Sequence, residues 1–180
     1  MKYLYLLLLI GLFSCKDVAK KESNNSLVTV DIAQTEKGNT IDLEIYDFNG
    51  FKKFLNRKDD KVYVINFWAT WCAPCVKELP YFEKIIEDYK DKNVEVILVS
   101  LDFPKQVEKK LIPFINKKNL QSEVILLDDT NENVWINAID ESWSGAIPAT
   151  LIYNKENRKF YEQSFDYEGL ERELKSFINL

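Results

Sequence analysis

The sequence predicts an α/β fold, and three observations carry the prediction. β-Branched and aromatic runs recur at 61–68, 94–99 and 124–127, as the strands of a buried sheet would. The stretches between them space their apolar residues three and four apart, the period of one helical face. A length of 180 residues, 46% apolar and 29% charged, allows one domain with an ordinary core and excludes wholesale disorder.

Taken in order, the chain opens on Met1-Lys2-Tyr3 and then on Leu4 to Phe13, almost wholly apolar. That run is too short to cross a hydrocarbon layer of roughly 30 Å. A cationic residue before it and small residues near its end make the pattern of an export signal. Lys16 to Ser26 is polar and aperiodic, as a flexible tether is. The folded domain is expected over 28–180, on a side of the membrane where disulfides can form.

Within that domain Lys61–Trp68 reads as a strand buried on both faces. From Cys75 the pattern turns helical through Leu79, Phe82, Ile85, Ile86 and Tyr89. Val94–Val99 is a second strand. Pro104–Lys118 is a helix with Val107, Leu111, Phe114 and Ile115 on one face, kinked or ended at Pro113. Val124–Leu127 is a third strand. The acidic cluster after it, Asp128, Asp129, Asn131 and Glu132, lacks the Gly and terminal Glu of a calcium loop and reads as a turn capping Val134–Ile139. Ala149–Tyr153 and Lys159–Phe165 form a hairpin over Asn154–Asn157. Leu170, Leu174, Phe177 and Ile178 mark a closing amphipathic helix, while Trp68, Trp135 and Trp143 are assigned to the core.

Composition narrows the chemistry. Lys and Arg number 24 against 29 Asp and Glu, a net charge of −5 with no basic stripe, which argues against nucleic acid. There is no His, and Met1 is the only Met. That excludes an imidazole base, His-held metals, haem and Met-rich copper sites. The cysteines are Cys15, Cys72 and Cys75. A bridge across Ala73-Pro74 closes almost no loop and so is no structural staple. No second C-x-x-C or His completes a zinc site, and Val76 stands where haem attachment needs His. A redox pair remains, needing no cofactor. Cys72 falls where strand hands over to helix, and the unpaired N–H groups and dipole there favour a thiolate. Cys75, one turn on, suits a resolving thiol.

The segment Phe67-Trp68-Ala69-Thr70-Trp71-Cys72-Ala73-Pro74-Cys75, followed by Pro80, resembles the active site of the thioredoxin superfamily. Its continuation Val76-Lys77-Glu78-Leu79-Pro80 is similar to the TlpA-like, membrane-tethered thiol–disulfide reductases of bacteria, and Gly145-Ala146-Ile147-Pro148-Ala149-Thr150 resembles the family's cis-proline loop. The likeness, which runs over about 40–180, implies a thioredoxin-like fold: a central mixed sheet flanked by helices. The long interval from Cys75 to Pro148 leaves room for a TlpA-like helix–strand insertion. Leu12-Phe13-Ser14-Cys15 resembles the bacterial lipobox. This implies a lipoprotein signal peptide over 1–14, a lipidated Cys15 heading a tether over 15–27, and an anchor on the periplasmic side or outer surface of the cell envelope. An ordinary cleaved signal with an incidental Cys15 is the other reading.

The resemblance also implies roles. Cys72 attacks protein disulfides and Cys75 resolves; protein thiols and disulfides are the partners, with an upstream membrane electron donor. Pro74, where the family's strong oxidants carry His, puts the pair on the reducing side. Glu78 tunes the thiols and relays the proton of Cys75, unless it is merely an exposed helix residue. Asn66 stands where thioredoxin keeps a buried Asp, and Pro80 kinks the helix. Trp71 shields Cys72 and meets the partner, and the backbone of Ile147 before a cis Pro148 offers it strand-like hydrogen bonds. The rivals are a thiol peroxidase and a redox-inactive lipoprotein binding module. The first needs P-x-x-x-T-x-x-C where this chain carries Ile65 and Ala69.

Overall fold

The computed structural model describes residues 42–178; the apolar leader, Cys15 and the tether expected from the sequence lie outside them. In chain order the elements are β1 (Glu44–Tyr46), α1 (Phe48–Phe51), β2 (Val62–Trp68), α2 (Ala73–Tyr89), β3 (Val94–Ser100), α3 (Ile112–Lys118), β4 (Glu123–Leu127), α4 (Glu132–Ile139), β5 (Ala149–Tyr153), β6 (Arg158–Tyr161) and α5 (Tyr167–Lys175). The strands form one sheet in the order β1-β4-β3-β2-β5-β6. Pairing is parallel from β1 to β2 and antiparallel through β5 and β6, so the sheet is mixed.

Successive side chains of a strand point to opposite faces, and every residue of the mostly apolar β2 is buried because both faces are covered. Val62, Val64 and Trp68 face Leu79, Phe82 and Ile85 of α2, with Ile115, Leu170 and Leu174 in the same layer. Tyr63, Ile65 and Phe67 face the other way, toward Phe51, Trp135, Ile139 and Trp143. Each large side chain buried in these layers contributes about 1.5–3 kcal/mol, so both faces of the sheet are committed to packing. Asn66 is the polar exception on the α2 face. The helix–strand pair α3–β4 fills the interval the sequence left open, and β4 lies between β1 and β3. Among the described residues no helix is long and apolar enough to cross a membrane.

The helical pattern over 104–118 is interrupted just before Pro113, where a new α-helix begins with the proline in its first turn. A short 3₁₀ turn over Pro104–Gln106 leads into a wide turn over Val107–Leu111, where the Ile112 N–H reaches the Val107 carbonyl five residues back, and α3 follows. Proline cannot donate the next helical bond, and the widened turn before it absorbs the misfit. One expectation is corrected: the hairpin is shorter, since β6 stops at Tyr161 rather than Phe165. Beyond it the groups turn to other partners: Glu162 accepts from backbone N–H groups of the 144–146 loop, and the Phe165 N–H donates to Glu78. Asp166 then caps α5, accepting from the Gly169 N–H at 2.8 Å.

Candidate functional site

The parallel strands β2 and β3 end side by side, and the site is built on that end of the sheet. Cys72 is the N-cap of α2, its Sγ accepting the Cys75 N–H at 3.3 Å, and Pro74 sits in the first turn where its missing N–H costs nothing. Cys72 and Cys75 are joined as a disulfide with Cα atoms 5.3 Å apart. Cys72 keeps 6% of its surface in contact with solvent and Cys75 none. Trp71, beside Cys72, is 56% exposed.

The loop before β5 closes on the disulfide. The Ile147–Pro148 peptide is cis, and the Ile147 carbonyl oxygen lies 3.7 Å from Cys72 Sγ. Side chains hold this loop. Trp143 Nε1–H donates to the Ala146 carbonyl at 2.8 Å, and the Glu162 carboxylate accepts the N–H groups of Ser144 at 2.9 Å and Ala146 at 3.2 Å. The hydroxyl and backbone of Ser144 hold the Glu162 carboxyl below the usual range. Gly145 takes φ +93°, a left-handed value, where a Cβ would come within 3.0 Å of Ile136.

Glu78 lies one turn beyond Cys75 on α2 and is 1% exposed, so the reading of it as a solvated helix residue is overturned. Its Oε1 accepts Asn66 Nδ2–H at 2.9 Å and its Oε2 accepts the Phe165 N–H at 2.8 Å. Asn66 pairs in register with Thr150 and also donates to that hydroxyl at 3.1 Å. Among the described residues Asn66 Oδ1 is buried without a partner. Burial pushes the Glu78 carboxyl above the ordinary carboxylate range, outweighing the hydrogen bonds that pull it back. A cleft of about 370 Å³ opens beside it, lined by Pro74, Lys77, Tyr81, Ser164, Phe165 and Asp166.

Sequence reasoning missed a second buried carboxylate. Asp102, 2% exposed, accepts the Thr70 N–H at 2.9 Å, the Thr70 hydroxyl at 2.5 Å and the Ser100 hydroxyl at 2.9 Å. It locks the turn that carries Trp71 and Cys72 to the end of β3. The signal was present: Ser100-Leu101-Asp102 ends a strand at its carboxyl edge, where open α/β sheets place their sites. Glu162 left no such signal. Ile65 and Ala69, where a peroxidase would carry Pro and Thr, are buried core.

Comparison with known proteins agrees with this geometry. The profile of the AhpC/TSA family matches residues 32–158. The thiol–disulfide oxidoreductase ResA of Geobacillus kaustophilus is 30% identical over 138 residues, 75% of this chain and 74% of the relative. Among solved structures, a thiol:disulfide interchange protein of the thioredoxin family from Chlorobium tepidum superposes with a TM-score of 0.55 at 16% identity, covering 69% of this chain and 82% of that one. The thioredoxin domain of a thiol–disulfide oxidoreductase from Bacteroides vulgatus gives 0.54 at 23% identity, over 71% and 84% of the two chains. At those identities the structures speak for the fold alone, and that fold is the thioredoxin fold. With the matched profile and the ResA relative, it follows that the chain belongs to the AhpC/TSA family and is a thiol–disulfide oxidoreductase.

Proposed function

We propose that the protein is a lipid-anchored reductant of the cell envelope, tethered through Cys15, whose Cys72–Cys75 dithiol reduces disulfides in partner proteins. The unequal exposure of the two cysteines supports exchange through Cys72, which keeps 6% of its surface open to solvent where Cys75 keeps none. In the reduced form the Cys72 thiolate, favoured at the N-terminus of α2, attacks one sulfur of a partner disulfide. The partner's other sulfur leaves as a thiolate and takes up a proton. Cys75 then loses its proton and attacks Cys72 Sγ, forming the internal disulfide and releasing the partner's second thiol. The two electrons lost by the pair are those gained by the partner, and an electron donor at the membrane would restore the dithiol.

Glu78 is the group we assign to the Cys75 proton. It is a carboxyl whose burial makes it hold a proton more readily than an exposed acid, set on the same helix and beside a cleft. Trp71 and the Ile147 backbone are assigned to contact with the partner. One experiment addresses tether and exchange together. Full-length protein with Cys75→Ser, expressed in cells, is expected to accumulate mixed disulfides through Cys72 in the membrane fraction. Adding Cys15→Ser is expected to move those adducts to the soluble fraction. Absence of any adduct would favour a redox-inactive binding module, and adducts that stay on the membrane without Cys15 would remove the lipid anchor.

A further inference from the structure

Two large apolar side chains stand unburied at the edge that carries Cys72: Trp71 at 56% and Phe103 at 61%. The backbone ties together the residues that precede them. β2 and β3 run parallel with Trp68 opposite Ser100, and the Leu101 N–H donates to the Trp68 carbonyl at 2.8 Å. Asp102 then accepts both donors of Thr70. Trp71 and Phe103 each follow one residue after this locked pair. Phe103 is held from its other side as well. Pro104 restricts it to extended backbone, φ −66° and ψ 132°, and its carbonyl accepts the Gln106 N–H at 2.8 Å. An exposed aromatic on backbone fixed at both ends costs little ordering when it is covered, as contact anchors require.

We infer that Trp71 and Phe103 form an apolar edge that reads the partner, selecting reactive cysteines flanked by a large apolar side chain. The occupant follows from continuity with the exchange site. Any chain whose sulfur reaches Cys72 Sγ must lay its adjoining residues against the surroundings of Cys72, where Trp71 precedes it in the chain and Phe103 follows the Asp102 that holds Thr70. Phe103 is then a specificity-determining residue that takes no part in the sulfur chemistry. The inference rests on exchange through Cys72.

The test measures second-order rates of oxidation of the full-length reduced protein by three disulfides. They are glutathione disulfide and two otherwise identical peptide disulfides, one with Phe and one with Ser beside the reacting cysteine. The wild type is expected to favour the Phe peptide by about tenfold, the discrimination one buried aromatic contact supports. Phe103→Ser is expected to abolish that preference while leaving the glutathione disulfide rate within about twofold. Phe103→Leu, still apolar, is expected to retain most of it. Equal wild-type rates on the two peptides, or a parallel loss on all three disulfides in Phe103→Ser, would overturn the inference. A wild type inert toward glutathione disulfide would place the failure in exchange itself. If Phe103→Ser instead splits a dimer seen by sedimentation, the edge serves a second copy of this chain and the assignment to a partner is wrong.

Discussion

A carboxylate buried beneath a dithiol opposes negative charge there, and Glu78 is held in that position from two directions. Asn66 donates from β2 and Phe165 from the segment after β6. Because burial raises the Glu78 pKa in the folded state, the native protein binds its proton more tightly than the unfolded chain does. Its stabilising contribution is therefore complete below the unfolded carboxylate pKa, about 4.3, and is lost as pH rises through the raised folded value. Glu78→Gln removes the titration. Urea unfolding across pH should show the variant gaining on the wild type through that window, at no more than about 1.4 kcal/mol per pH unit, and level above it. A pH-independent offset alone would mean that Glu78 titrates normally. The same substitution removes a negative charge near the sulfurs, so iodoacetamide alkylation of the reduced protein should report a lowered thiol pKa.

The loop 143–148 is an element with almost no regular structure, yet it places the Ile147 carbonyl 3.7 Å from Cys72 Sγ. Its shape depends on Trp143 from within and Glu162 from beyond β6. Glu162→Ala is expected to free the amides of Ser144 and Ala146, accelerating their hydrogen exchange about tenfold or more while the β5 amides stay protected. Unchanged exchange at both would show that Trp143 alone shapes the loop. The folded Glu162 pKa is depressed, so acid should mimic the variant: the clamp is present above the unfolded carboxylate value and is lost as pH falls through the folded one. These clamps also show where the sequence stopped being legible. β2, β3 and β4 announce themselves because local composition, runs of β-branched and aromatic residues, sets them. So does the C-x-x-C at a strand-to-helix junction. Glu162, the Phe165 N–H on Glu78, and Asp102 on Thr70 join residues 16 to 87 positions apart. No local period encodes such pairs. β1 was unreadable for a related reason: it has only three residues, and β4 supplies its ladder.

For the molecule as a whole, the redox state of one disulfide is linked to the stability of the entire fold. Cys72 and Cys75 are only three positions apart, so the bridge constrains the unfolded chain very little. Any difference in stability between oxidised and reduced protein then reflects how the folded site treats the two thiols. A site that stabilises a thiolate makes the reduced form the more stable and the pair an oxidant, as in the strongest oxidants of this kind. Here the helix N-terminus favours a Cys72 thiolate. Against it stand a burial that reaches 0% exposure at Cys75, a carboxyl one turn below, and the absence of any His to pair with a thiolate. Those opposing effects put the balance on the oxidised side. Thermal unfolding with and without dithiothreitol should show the reduced protein melting lower. A gap of 1–3 kcal/mol corresponds to about 20–65 mV of potential and to a Tm lower by roughly 3–12 °C. A reduced form that melts higher would make Cys72–Cys75 an oxidising pair, and the partners would then be dithiols awaiting a bond.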